Sequence, residues 1–350
     1  MPERVIREGT HPFRPRPRLS PLLRRPAVLL AAAILLALCI LASLFVGSSR
    51  IPADQVAHYL LHPDASNVSY NINVLRVERT IIGVLVGAAL AVSGAVMQAV
   101  TRNPLAEPGL LGVNAGASLG IVLGTAALGV LPVPGQLLLA ASGALVATAL
   151  VQVIGMIGGS TSSPVRLVLI GVAFSAFAGA VIRGVVLTMP NLFRTFIDWE
   201  VGSLTRADIP LSAMTLLVAL GTGAALLLAG ALDNIALGDD VAAALGTRVG
   251  LVRGLSLVVI TLLCATATTV AGPIGFVGLM APLTASWLMG PHRGWIVALC
   301  ALGGPVVVLA ADVLGRVLAR PGEMQVGLLT AFVGSPVLLL MVLRMKDWPS

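Results

Sequence analysis

Apolar residues run along this chain in long unbroken blocks, and polar ones collect in short stretches between them. The blocks at 27–46, 80–100, 109–129, 136–157, 165–188, 210–231, 250–270, 275–290, 295–313 and 325–344 each approach the ~20 residues that a helix needs to cross a hydrocarbon core of about 30 Å. Ten spans with short connections predict an all-α membrane protein of about ten transmembrane helices. The short alternating strands of an outer-membrane barrel are not found. Gly83 and Gly87, four apart, give the second block a small-residue face that another helix can approach closely. Connections such as "GVLPVPGQ" (129–136) and "AGPIGFVG" (271–278) are rich in Gly and Pro.

Composition narrows the class. The chain is 57% hydrophobic and 11% charged, with a mean hydropathy of +0.99, whereas soluble domains are about a quarter charged. The 22 basic against 15 acidic residues would suit a nucleic-acid partner, but the arginines lie in the first 26 residues and in short loops. They report membrane topology, and no nucleic acid is expected. Residues 1–26 read as a basic, Pro-rich, disordered tail that anchors at anionic lipid, and 27–350 as a single transmembrane domain. The block at 27–46 is long for a signal-peptide core and fits a retained first span.

An even number of spans puts both termini on one side. That side carries seven tail arginines with Arg102, Arg166, Arg248, Arg253, Arg293, Arg344 and Lys346. The other carries Arg50, Arg76, Arg79, Arg183, Arg194, Arg206, Arg316 and Arg320. The excess of base places both termini in the cytoplasm. Cys39, Cys264 and Cys300 sit inside apolar blocks and read as buried thiols. His58 and His62 have an i, i+4 spacing but no evident third ligand, so no metal site is expected. There is no GxxxxGK[ST] phosphate loop, and Lys346 is the only lysine. If ATP drives this protein, another subunit binds it.

Two polar stretches stand out. In "RNPLAEPGLLG" (102–112), Pro104 and Pro108 end one helix and start the next, and Glu107 is favoured near the new N-terminus. By itself this is a helix connector at the cytoplasmic ends of the second and third spans. In "LGDDVAAALGTRV" (237–249), Gly238 and Gly246 bracket a helix of about seven residues with Asp239 and Asp240 at its start. So short a helix needs a partner surface to persist; a plain cytoplasmic loop is the competing reading.

Residues 85–120, "LVGAALAVSGAVMQAVTRNPLAEPGLLGVNAGASLG", resemble the hallmark of the FecCD-type permeases, membrane subunits of ABC importers for ferric siderophores, heme and cobalamin. Residues 237–249, 271–282 ("AGPIGFVGLMAP"), 311–344 ("ADVLGRVLARPGEMQVGLLTAFVGSPVLLLMVLR") and, more weakly, 199–204 ("WEVGSL") are similar to further family stretches. The resemblance covers about 51–344. It implies a type II ABC importer permease fold with an inverted pseudo-repeat relating spans two to five and seven to ten. It also implies a bacterial inner-membrane location, two copies of an ATPase subunit that bind ATP and Mg, a second permease, identical or homologous, and an extracytoplasmic substrate-binding protein. This chain itself would bind no cofactor and catalyse no reaction.

The resemblance assigns ATPase coupling to segment 233–249, with Asp239, Asp240, Val241, Leu245 and Gly246 as its residues. It assigns binding-protein docking to Arg76, Arg79 and Arg316, through acidic residues on that partner. It assigns a cytoplasmic gate to Ser162 and Ser163 in "GGSTSSP" (158–164). For each a blander reading stands beside it: interfacial arginines that snorkel, and a capped flexible loop. The chain departs from the family pattern at Glu78, where proline is usual, and at Leu283 and Ser286, where His and Arg are common. The second departure suggests one specialised half of a heterodimer. An ion-coupled secondary transporter is the reading from another class. It would need intramembrane ionisable groups, for which Arg183 and Asp312 are the main candidates.

Overall fold

The computed structural model describes residues 21–49, 51–156, 164–189, 196–197, 199–205 and 211–345. The expected gate residues Ser162 and Ser163, and most of the basic tail, lie outside them.

Helices α1 (Pro21–Phe45), α2 (Ala53–Leu61) and α3 (Asn67–Tyr70) lead through a π-helical segment (Asn71–Arg76) into α4 (Val77–Thr101). A 3-10 turn (Pro108–Leu111) precedes α5 (Val113–Leu128), α6 (Val133–Met156) and α7 (Pro164–Thr188). Then come α8 (Leu211–Ala236), the short α9 (Asp239–Ala244), α10 (Val249–Ala271), α11 (Val277–Met289), α12 (Arg293–Leu318) and α13 (Val326–Met345). Seven helical stretches are long and apolar enough to cross a membrane, and three apolar helices are shorter, among the described residues. Together they correspond to the ten expected spans.

The hub is α4, whose most apolar window is 83% buried; it packs against α8, α10, α11 and α12. Helices α5, α6 and α7 form a second group joined to the hub by α10, and α1 and α13 lie on α12. Small residues allow this crowding. A methyl on Gly87 would stand 2.5 Å from the Pro305 nitrogen, and one on Gly94 would meet the Gly278 carbonyl. The backbones of α4, α12 and α11 therefore touch.

The observed ends differ from the expected ones for a physical reason. Hydropathy stops the ninth span at 313 and starts the second at 80, because charged residues follow and precede them. In the structure α12 runs on to Leu318 and α4 begins at Val77, since those charges neutralise one another inside the bundle. Of the three shorter apolar helices, two follow a break in the helical chain. Gly278, beside the start of α11, faces α4 between Leu90 and Gly94; a methyl there would lie 3.0 Å from the Leu90 carbonyl and 3.1 Å from Pro108 Cδ. Hence α5 and α11 both begin within the bundle, each just after a left-handed residue (Gly112, φ 79°; Phe276, φ 70°).

Candidate functional site

At one end of the bundle, α9 projects between two glycines. Gly238 (φ 116°) and Gly246 (φ 81°) take the left-handed turns that start and end it. The Thr247 N–H donates to Ala242 O at 2.9 Å, and Asn234 Nδ2 donates to Thr247 Oγ1 at 2.9 Å, tying both flanks together. Ala242 is buried beneath the helix. Asp239 is half-exposed but held: Arg253 forks onto its carboxylate at 3.0 and 3.1 Å, and Arg102, the left-handed C-cap of α4, also contacts it. Asp240, Val241 (47% exposed), Leu245 (58% exposed) and Gly246 face outward. Four of the five expected coupling residues thus form an open face, and the fifth anchors it. The sequence reading missed Arg102 and Arg253 as the anchor's partners. Their position on the same face as Asp239 in the charge count was the available signal.

The "RNPLAEPG" connector does not stay at the surface. Residues 102–105 are exposed, but Ala106 and Pro108 turn inward. Glu107 Oε1 accepts the Phe276 N–H at 3.1 Å, joining the two stretches that break α4–α5 and α10–α11. Burial pushes the Glu107 carboxyl above its ordinary pKa, only partly offset by that hydrogen bond. Deeper still, Asn114 Oδ1 accepts from Thr268 Oγ1 at 2.8 Å.

The other end is rich in arginine. Arg76, Arg79 and Arg316 are only 5, 8 and 2% exposed, yet all three line an open cavity of about 190 Å³ with Glu78 and Glu323. Asp312, fully buried, holds Arg79 (Nη2 at 2.7 Å, Nε at 3.0 Å) and Arg316 (Nη2 at 2.8 Å). Glu323 takes Arg79 Nη1 and the Ser48 hydroxyl, the latter at 2.7 Å. Asp312 and Arg316, one helical turn apart, are paired, and Arg79 shares the same carboxylate. Burial raises the Glu323 pKa, but the Arg79 hydrogen bond and charge, Ser48 and Arg316 outweigh it and hold the carboxyl below its usual range.

These guanidinium groups also close the C-terminal end of α1. Arg76 donates to Leu44 O (2.9 Å) and Ser49 O (3.1 Å), Arg316 to Ser43 O (2.9 Å) and Val46 O (3.0 Å), and Arg320 to Gly47 O (2.9 Å). Carbonyls that a helix end leaves unpaired are satisfied by positive charge, as the helix dipole favours. Of the remaining sequence candidates, His58 lies on α2 and His62 is its C-cap, with ring centroids 5.4 Å apart. Cys39, Cys264 and Cys300 are all unpaired.

Membrane-crossing helices interrupted by shorter ones that start inside the bundle are the build of a multi-pass transport permease. The chain belongs to the FecCD transport family, whose profile matches residues 35–344. It is 43% identical over 303 residues to the ferric enterobactin transport system permease protein FepD of Escherichia coli, covering 86% of this chain and 90% of that one. It is 37% identical over 311 residues to the Fe(3+)-citrate import system permease protein YfmD of Bacillus subtilis, covering 87% and 91%. An inward-facing structure of a metal-chelate type ABC transporter superposes with a TM-score of 0.80 at 25% identity, over 91% of this chain and 99% of that one.

Proposed function

We propose that this chain is one permease of an ATP-driven importer that moves a ferric siderophore or a similar bulky metal chelate into the cytoplasm by alternating access. The observation that carries the reading is α9: a six-residue helix, clamped at its first residue, Asp239, with Asp240, Val241, Leu245 and Gly246 open for a partner. That is the form of a socketed coupling element, and the similarity to an enterobactin and a citrate permease sets the cargo class.

In this arrangement two ATPase subunits bind ATP and Mg and grip α9 on each of two permeases. The seven tail arginines, added to the basic loop residues of the same side, favour a cytoplasmic α9 end and cytoplasmic termini, with the chain spanning the inner membrane of a bacterial cell. An extracytoplasmic binding protein docks over the cavity of Arg76, Arg79 and Arg316, its carboxylates competing with Glu323 for Arg79. Ser162 and Ser163 form the cytoplasmic gate. Leu283 and Ser286 mark this chain as one half of a heterodimer.

Gentle purification of the tagged chain from its own membranes, followed by native mass measurement, tests the assembly. Two ATPase copies and two different permease masses are expected. Val241→Asp with Leu245→Asp is expected to strip the ATPase away and cut chelate uptake more than ~10-fold, since two charges then face an apolar contact. A chain that purifies alone and transports after ATP depletion would overturn the importer reading; two identical permeases would overturn only the heterodimer.

A further inference from the structure

A second cavity, of about 470 Å³, opens at the α9 end between α4, α8, α11 and α12. Arg102, Arg293, Gln98, Ser286 and Trp287 line it, with Leu283 among its apolar walls. Among the described residues no carboxylate lines it. At the opposite end three arginines share their cavity with Glu78 and Glu323, with Asp312 behind them. Here the lining charges are all positive, and the acids, Asp239 and Asp233, stand behind them.

The two arginines differ. Arg102 has Asp239 as its partner. Arg293 donates its backbone N–H to Asp233 Oδ1 at 2.9 Å. Asp233 is the nearby counter-charge of its guanidinium but makes no close ion pair with it among the described residues, and the Arg293 Nε is buried with no acceptor among them. A desolvated cationic donor without an acceptor is costly, and most such groups in folded proteins are satisfied by something. The planar fork of a guanidinium matches the oxygens of a tetrahedral phosphate. The cavity lies where α4, α8 and α11 end and α12 starts, a level that both lipid headgroups and aqueous anions reach. Trp295, on the first turn of α12, is 37% exposed beside it, as interfacial indoles are.

We propose that this cavity binds a phosphate-bearing anion, with Arg293 as its principal ligand and Arg102 as the second cation. The site goes beyond the importer reading and does not depend on it. Because Arg102 also holds Asp239, an anion that draws on Arg102 loosens the clamp on α9; by linkage, displacement of α9 would strengthen anion binding.

The full-length chain, purified with whatever subunits accompany it, would be placed in phosphatidylcholine nanodiscs and titrated with inorganic phosphate. In a second arm, phosphate-free, the discs would carry increasing phosphatidylglycerol, and retained lipid would be counted by native mass measurement. Saturable binding in either arm is expected, the arm that saturates identifying the source. Arg293→Gln removes the charge and Ser286→Phe fills the cavity without changing charge; each should weaken binding about 10-fold or more. Arg248→Gln, an exposed arginine at the same end, should leave it unchanged. No saturation in either arm, or an equal loss in Arg248→Gln, would overturn the proposal, the latter because it reveals diffuse attraction to a basic surface.

Discussion

Asp312 and Glu323 both hold Arg79, but one is sealed from water and the other is about one-third exposed. Removing them should therefore do different things. Asp312→Asn leaves Arg79 and Arg316 buried without their shared counter-charge, a loss of about 3–5 kcal/mol, and should empty the membrane of folded chain. Glu323→Gln breaks a partly solvated pair, costing at most about 1 kcal/mol. If the binding protein docks through carboxylates that compete for Arg79, Glu323→Gln should tighten that protein's Kd several-fold; an unchanged or weaker Kd would remove Arg79 from the docking surface. The pH dependence has a definite sign. A carboxyl whose folded pKa is lowered stabilises above its unfolded value and loses that stabilisation as pH falls through the folded one. Acidifying the wild type below the ordinary carboxylate range should therefore bring its thermal unfolding toward that of Glu323→Gln.

Among the helices, the contact most sensitive to size is the crossing of α4 over α11. Gly94→Ala puts a methyl into the Gly278 carbonyl, an overpacking that costs about 1–3 kcal/mol unless the helices separate. The expected result is a lower membrane level and a lower unfolding temperature in detergent. Gly254→Ala on α10, where a methyl meets open space, is the control and should change neither. The same elements mark what the sequence made readable. Blocks of ~20 apolar residues announced every long helix, and two glycines with two aspartates announced α9. Hydropathy could not follow α12 past Asp312 or α4 back to Val77, because it scores a charge as wet unless its partner is known, and Arg79 and Asp312 are 233 residues apart. Nor could it see that α5 and α11 start at depth, since that follows from what Gly278 and Pro108 touch. The stretch at 51–76 has no apolar block of span length, so hydropathy is silent on its two helices and π-helical turn.

Taken whole, the molecule carries its two candidate contact regions on one rod. The first turn of α4 holds Arg79 in the arginine cluster, and its C-cap, Arg102, holds Asp239 at the start of α9. On the 25-residue α4 with its C-cap, the two arginines, at 79 and 102, are 23 positions apart, about 35 Å at ~1.5 Å per residue. A tilt of α4 is thereby felt at both ends, as the proposed alternating access requires. Cysteines at Ser162 and Ser163, joined between the paired permeases, should abolish uptake while leaving ATPase activity measurable; unimpeded uptake would place the gate elsewhere. The closure of α1 bears on how the chain is made. Ser43, Val46 and Gly47 wait for Arg316 and Arg320, which leave the ribosome some 273 residues later. At ~5–20 residues per second that is an interval on the order of tens of seconds. Through that interval the first span has its length but only the Arg76 part of its cap, so insertion of the N-terminal helix and its final seating are separate events in biogenesis. The second cannot be completed until nearly the whole protein has been synthesised.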